Sequence, residues 1–128
     1  MICVDTSCII DFLKNEKEAV NIIDKHKDEL VTTDINVFEV FMGIYTKKDY
    51  EKEEEVARAF FGSIKILGIG GWGEKAAEIL SHLIKNGEIV EENDCFIVSI
   101  MLLNGCNKIL TRNKKHFSRI KGIEVISI

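Results

Sequence analysis

Ile2-Cys3-Val4-Asp5-Thr6-Ser7-Cys8-Ile9-Ile10-Asp11-Phe12-Leu13 changes its periodicity at Asp5. Before it, Ile2, Cys3 and Val4 are apolar without alternation, as in a strand buried on both faces of a parallel sheet. After it, Ile9, Ile10, Phe12 and Leu13 fall at helical spacing along a segment from Ser7 to Leu13. The same change recurs along the chain. Strands are expected at 2–4, 30–32, 63–67, 108–111 and 124–128. Helices are expected over Lys17–His26, Asp34–Thr46, Tyr50–Phe61, Glu74–Lys85 and Asp94–Leu103, with a short helical turn near Lys115–Ile120. The helix from Tyr50 should turn Val56, Ala57, Phe60 and Phe61 inward. Gly68, Gly70, Gly71 and Gly73 mark a flexible connection. The helix from Asp94 is apolar almost all round and should be deeply buried, ending at Asn104-Gly105 in a left-handed cap. Strands alternating with helices predict an α/β fold: a three-layer α/β/α sandwich on a five-stranded, mainly parallel sheet, with residues 1–128 forming one domain.

The bulk composition agrees. The chain has 128 residues, 46% of them hydrophobic and 30% charged, which fits a soluble globular protein. It has no proline and no run of 18 apolar residues, so no membrane span is expected. The N-terminus lacks the basic start and long apolar stretch of a secretion signal. Four cysteines, at 3, 8, 95 and 106, form no C-x-x-C pair, and three of them lie in apolar runs. A reducing, cytoplasmic setting follows. The net charge of −4 argues against holding nucleic acid by overall charge alone. That charge is uneven, however. Asp49–Glu55 reads DYEKEEE, whereas Lys108–Lys121 reads KILTRNKKHFSRIK and contains no acid. A basic segment beside acids suits a phosphate-bearing substrate, although such runs are commonly just solvated faces.

Three carboxylates stand where apolar side chains would be expected. Asp5 closes the first strand, Glu39 is alone within Val37-Phe38-Glu39-Val40-Phe41-Met42, and Asp94 opens the run from Cys95 to Leu103. A carboxylate in such surroundings needs a compensating cap, base or cation. In open α/β sheets ligands bind beyond the carboxyl ends of the strands, where Asp5, the start of the helix carrying Glu39, and Thr111-Arg112-Asn113 all fall. Like charges gathered there repel, and hard Mg²⁺ or Mn²⁺ ions with oxygen ligands relieve the repulsion. Each acid also has a structural alternative. Asp5 can cap the following helix, Asn36-x-x-Glu39 resembles a capping box, and Asp94 can serve as an N-cap or first-turn acid. Asp11 reads as a helix surface residue, and Glu91 and Glu92 as surface charges or support for the site.

At these residues the chain resembles the PIN-domain nucleases, specifically the VapC-like toxins of prokaryotic toxin–antitoxin pairs. The matching segments are VDTSCIIDFL (4–13), TDINVFEVFMGI (33–44), NDCFIVSI (93–100) and ILTRNKKHFSRIKGIEVI (109–126), in family order across essentially the whole chain. The resemblance implies a Mg²⁺- or Mn²⁺-dependent endoribonuclease with Asp5, Glu39 and Asp94 as catalytic acids and metal ligands. Cleavage would leave a 5′-phosphate and a 3′-hydroxyl. It implies a homodimer, inhibited by a small antitoxin whose C-terminal segment fills the groove. The family usually has a fourth acid near the fourth strand, where this chain has Asn113 and His116. Asn113 would then supply a neutral oxygen or position water, and His116 has a site role or a packing role. Thr6, Ser7 and Thr111 would orient metal-bound water or a phosphate. Arg112, Lys114 and Lys115 would contact flanking RNA phosphates, which position the strand without choosing its sequence.

Other readings are open to discrimination. A phospho-acceptor receiver domain needs an aspartate at the end of the third strand, where Leu67-Gly68 stands. A D-x-D phosphatase needs an acid where Ser7 stands. Two readings keep the fold: a PIN nuclease that processes or degrades RNA without an antitoxin, and a degenerate PIN module that binds without cleaving.

Overall fold

The computed structural model describes residues 1–68, 72–88 and 91–128. The connection expected at Gly70 and Gly71 lies outside them. Among the described residues five strands form one sheet: β1 (Ile2–Val4), β2 (Leu30–Thr33), β3 (Lys65–Leu67), β4 (Lys108–Thr111) and β5 (Glu124–Ser127). Seven α-helices accompany them, again among the described residues: α1 (Thr6–Leu13), α2 (Lys17–His26), α3 (Asp34–Tyr45), α4 (Glu51–Ser63), α5 (Trp72–Lys85), α6 (Glu92–Leu103) and α7 (Lys114–Phe117). The strand order is β3-β2-β1-β4-β5, and every pairing is parallel. Parallel neighbours need crossover connections, which the helices supply.

The strands sort by position as burial on both faces requires. All residues of β1 and β2 are buried, whereas the edge strands β3 and β5 are partly exposed. Successive side chains of β1 point to opposite faces. Ile2 and Val4 pack with Ile9, Ile23, Val40, Ala57, Phe60 and Phe61 from α1 to α4. Cys3 faces the other way, into a cluster with Leu83, Ile97, Ile100, Met101 and Phe117 from α5, α6 and α7. These two clusters are the cores on the two sides of a three-layer sandwich. Helix α6 is buried on nearly all sides, through Cys95, Ile97, Val98, Ser99, Ile100 and Met101. Fully burying each of its larger side chains contributes roughly 1.5–3 kcal/mol. Its end has the expected left-handed glycine, Gly105 at φ +77°.

Several boundaries differ from those read from the sequence. Helix α4 runs on to Ser63, whose hydroxyl donates to the Phe60 carbonyl at 2.6 Å, so β3 starts only at Lys65. Helix α6 begins at Glu92 with Glu91 at the N-cap, which puts Asp94 inside the first turn. The last helical turn shrinks to four residues, Lys114–Phe117. Val56 is 45% exposed and does not belong to the inner stripe of α4. Helix α3 leaves Phe38, Met42 and Tyr45 exposed beside buried Val40 and Ile44.

Candidate active site

The chain order reverses at β1. From β1 it moves through β2 to β3, then returns to the other side of β1 to form β4 and β5. A crevice opens beyond the carboxyl ends of two strands at such a reversal. Val4 is in register with Leu110, and the Asp5 N–H donates to the Leu110 carbonyl at 2.9 Å. Asp5 and Thr111 are therefore side by side at the switch point.

Asp5 occupies the N-cap position of α1, yet its side chain makes no capping hydrogen bond. The carboxylate instead accepts from the hydroxyls of Thr111 (2.8 Å) and Ser7 (3.1 Å) and from the Asn36 amide (3.4 Å). Asp5 is 4% exposed. Burial pushes its pKa above the ordinary value, and the Thr111 hydroxyl opposes the shift, with smaller help from Ser7 and the nearby N–H groups of Thr6 and Ser7.

Glu39 comes to the same edge on α3. The capping box of that helix uses Thr33 and Asn36: the Asn36 N–H donates to Thr33 Oγ1, and the Thr33 N–H donates to Asn36 Oδ1. Asn36 is thus the third helical residue and not the cap, and Glu39 has no part in the box. Its carboxylate accepts from the Thr6 hydroxyl at 2.7 Å and from the Asn93 amide at 3.3 Å. Thr6 accepts in turn from Asn36 Nδ2 at 3.0 Å. Fully buried Asn36 so joins the holders of Asp5 and Glu39, a role the sequence reading missed because the residue looked like a cap. Asn93 was missed too, since nothing in the sequence pairs it with a residue 54 positions earlier.

Asp94 is shifted in the same direction as Asp5. Burial comes first, then the charges of Asp5, Glu91 and Glu39, which together push its carboxyl up to about 7. The three acids named from the sequence are therefore electrostatically coupled at one edge of the sheet. His116 Nδ1 stands 3.6 Å from Asp94 Oδ2, which brings His116 to this edge. Asn113 participates through its backbone, donating its N–H to Thr111 Oγ1 at 2.9 Å. Ser7 Oγ accepts the Arg112 N–H at 3.1 Å. The Arg112 guanidinium pairs with Asp11, whose side chain is mostly buried and so is not the surface residue expected. Lys114 and Lys115 are exposed along α7, where they line an open concavity of about 700 Å³ with Arg112, Asn113, His116 and Arg119.

Among the described residues no three Asp, Glu, His or Cys side chains are grouped closely enough to hold an ion. Asp5 and Glu39 accept hydrogen bonds from hydroxyls and amides, and Asp94 faces His116. The donor set is nevertheless all oxygen, and among the described residues its surplus negative charge has no basic side chain bonded to Asp5 or Glu39. That chemistry suits a hard divalent cation.

Comparison with known proteins bears on the fold. The chain is similar over its whole length to the structure titled VapBC2 from Rickettsia felis bound to a promoter DNA fragment (TM-score 0.89, 20% identity, 100% of this chain and 99% of that one). It is similar to the DNA-bound VapBC of Salmonella typhimurium (TM-score 0.86, 20% identity, 98% and 96%). It is also similar to VapBC-1 of nontypeable Haemophilus influenzae (TM-score 0.84, 23% identity, 99% and 98%). No curated protein sequence matches significantly. At these identities the likenesses establish the fold alone, but the model of the PIN domain matches residues 2–123. With the reversal at β1 and the acids gathered beside it, that match places the chain in the PIN domain family.

Proposed function

We propose that this protein is a metal-dependent endoribonuclease that hydrolyses RNA phosphodiester bonds, and that it is the toxin of a VapBC-type toxin–antitoxin pair. The observation that carries the proposal is the coupled acid edge: Asp94 held near 7 by burial and by Asp5, Glu91 and Glu39, next to the basic rim of α7. Asp5, Glu39 and Asp94 would hold Mg²⁺ or Mn²⁺. When bound, such a cation supplies a Lewis acid that lowers the pKa of a coordinated water and offsets charge at the phosphodiester. The chain's own part is orientation. Thr111 and Ser7 fix Asp5, Thr6 and Asn93 fix Glu39, and Asn36 ties the two sets together. Lys114 and Lys115 would meet flanking phosphates, Arg112 with them.

Residues 1–128 would act as one nuclease domain in the cytoplasm, where the four free cysteines stay reduced. A homodimer and a small antitoxin are the partners this reading carries. The solved structures of similar fold titled VapBC support the antitoxin. No described helix is long and apolar enough to cross a membrane. The test is incubation of the purified protein with structured RNA in Mg²⁺ or Mn²⁺ and then in EDTA. Cleavage is expected only with the cation, and only with Asp5 intact. Cleavage that survives chelation or Asp5→Ala refutes the mechanism. The ungrouped donors, with Asn113 in place of a fourth acid, favour a second reading: a PIN module that binds RNA without cleaving it. Metal titration separates the two, because the binding module takes up no cation at this edge.

A further inference from the structure

Asp11 projects from α1 toward the β4–α7 connection and pairs with the Arg112 guanidinium. Its side chain is 17% exposed, while that of Arg112 is 54% exposed. Asp11 Oδ2 is buried, with no hydrogen-bond partner of good geometry, so the Arg112 cation is what compensates it. A guanidinium carries five N–H donors in a rigid fork, so a side chain as exposed as that of Arg112 has donors to spare for a second partner. The Arg112 backbone is fixed as well: its N–H donates to Ser7 Oγ, and the same hydroxyl donates to Asp5 Oδ2. Arg112 is thus pinned at both ends, one hydroxyl away from the buried acid of the switch point.

We infer that Asp11 is the positioning residue for Arg112: it holds the guanidinium so that its spare donors meet an RNA phosphate beside the acid edge. This rests on the ribonuclease reading. A pinned arginine loses less side-chain freedom on binding than a free one, so the pair raises affinity although Asp11 is itself an anion. The sign of the effect makes the inference testable. Removing a negative charge near a polyanion would by charge alone tighten binding. Removing a positioning carboxylate should weaken it.

The experiment measures binding of a fluorescein-labelled oligouridylate by anisotropy, in EDTA so that nothing is cleaved, across a salt series. Asp11→Asn keeps the shape of the side chain and removes its charge. It should weaken binding about threefold to tenfold, the effect of freeing one rotamer-rich side chain. Arg112→Gln should weaken binding at least as much and lower the salt slope by about 0.7, one phosphate contact on a single strand. The double variant should bind no worse than Arg112→Gln alone. Thermal melts accompany each variant. If Asp11→Asn does not fold, Arg112→Lys carries the test: it keeps the charge, loses the fork, and should still lose about threefold. Binding by Asp11→Asn that is equal to or tighter than wild type overturns the inference, as does unchanged binding by Arg112→Lys. So does a wild type with no salt-dependent binding. Metal-dependent cleavage is scored separately on wild type, so the nuclease reading stands or falls independently.

Discussion

Asp94 and Asp5 both hold their protons more tightly than ordinary aspartates, and the consequence for stability has a definite sign. The Asp94 carboxyl sits at about 7 in the folded chain, against 3.8 for an ordinary aspartate. Between those values the folded protein keeps a proton that the unfolded chain has released, so stability falls as pH rises through that window and levels off above about 7. Asp5, shifted in the same direction, adds the same sign. Cation-free protein should therefore melt at a lower temperature at pH 8 than at pH 5. Asp94→Asn should flatten that dependence, as calorimetry across the pH range will show. A profile that rises toward pH 8 in both proteins would mean these acids are not buried together. Asn36 makes a second residue-scale prediction. Its amide serves Asp5 and Thr6 at once, so Asn36→Ala should lower Mn²⁺ affinity by roughly 10–100-fold, the usual effect of losing a group that orients ligands. Isothermal titration with Mn²⁺ reads this directly, and unchanged affinity would make Asn36 a capping residue only.

Helices α3 and α6 look alike in sequence, both rich in large apolar residues, yet the fold uses them differently. Helix α6 is buried on nearly all sides, whereas α3 buries Val40 and Ile44 and leaves Phe38 and Met42 in water. Ile97→Ala should cost about 2–5 kcal/mol, because a fully buried side chain leaves a cavity. Phe38→Ser should change monomer stability by no more than about 0.5 kcal/mol. Urea denaturation of the two variants checks both figures, and equal losses would contradict the exposure of α3. The buried character of α6 was legible from its continuous apolar run. The exposed side of α3 was not, since an apolar residue signals burial only when a neighbour covers it, and the neighbours come from elsewhere in the chain. Ser63 shows the same limit at an element's end, where α4 runs two residues further, with a hydroxyl-to-carbonyl bond in its last turn, and β3 is shorter.

At the scale of the molecule, the reversal of strand order at β1 concentrates like charge at one edge, and a cation bound there should stabilise the whole fold. Mg²⁺ or Mn²⁺ at about 100 times its dissociation constant should add about 2.7 kcal/mol, seen as a rise in melting temperature that Asp94→Asn abolishes. No rise in wild type would remove the metal from the proposal. The amino-acid sequence by itself determined the strand–helix alternation, the burial of β1 and α6, and the identity of three acids out of place among apolar neighbours. These follow from local periodicity and from the cost of an uncompensated carboxylate, both carried by residues adjacent in the chain. Only the tertiary structure decided who holds those acids. Asn36, Asn93 and the Asp11–Arg112 pair act across 31, 54 and 101 positions. Contacts of that span exist only once β4 has come to lie against β1 and α6 against α3, because hydrogen bonds and ion pairs depend on distance in space, to which separation along the chain is no guide.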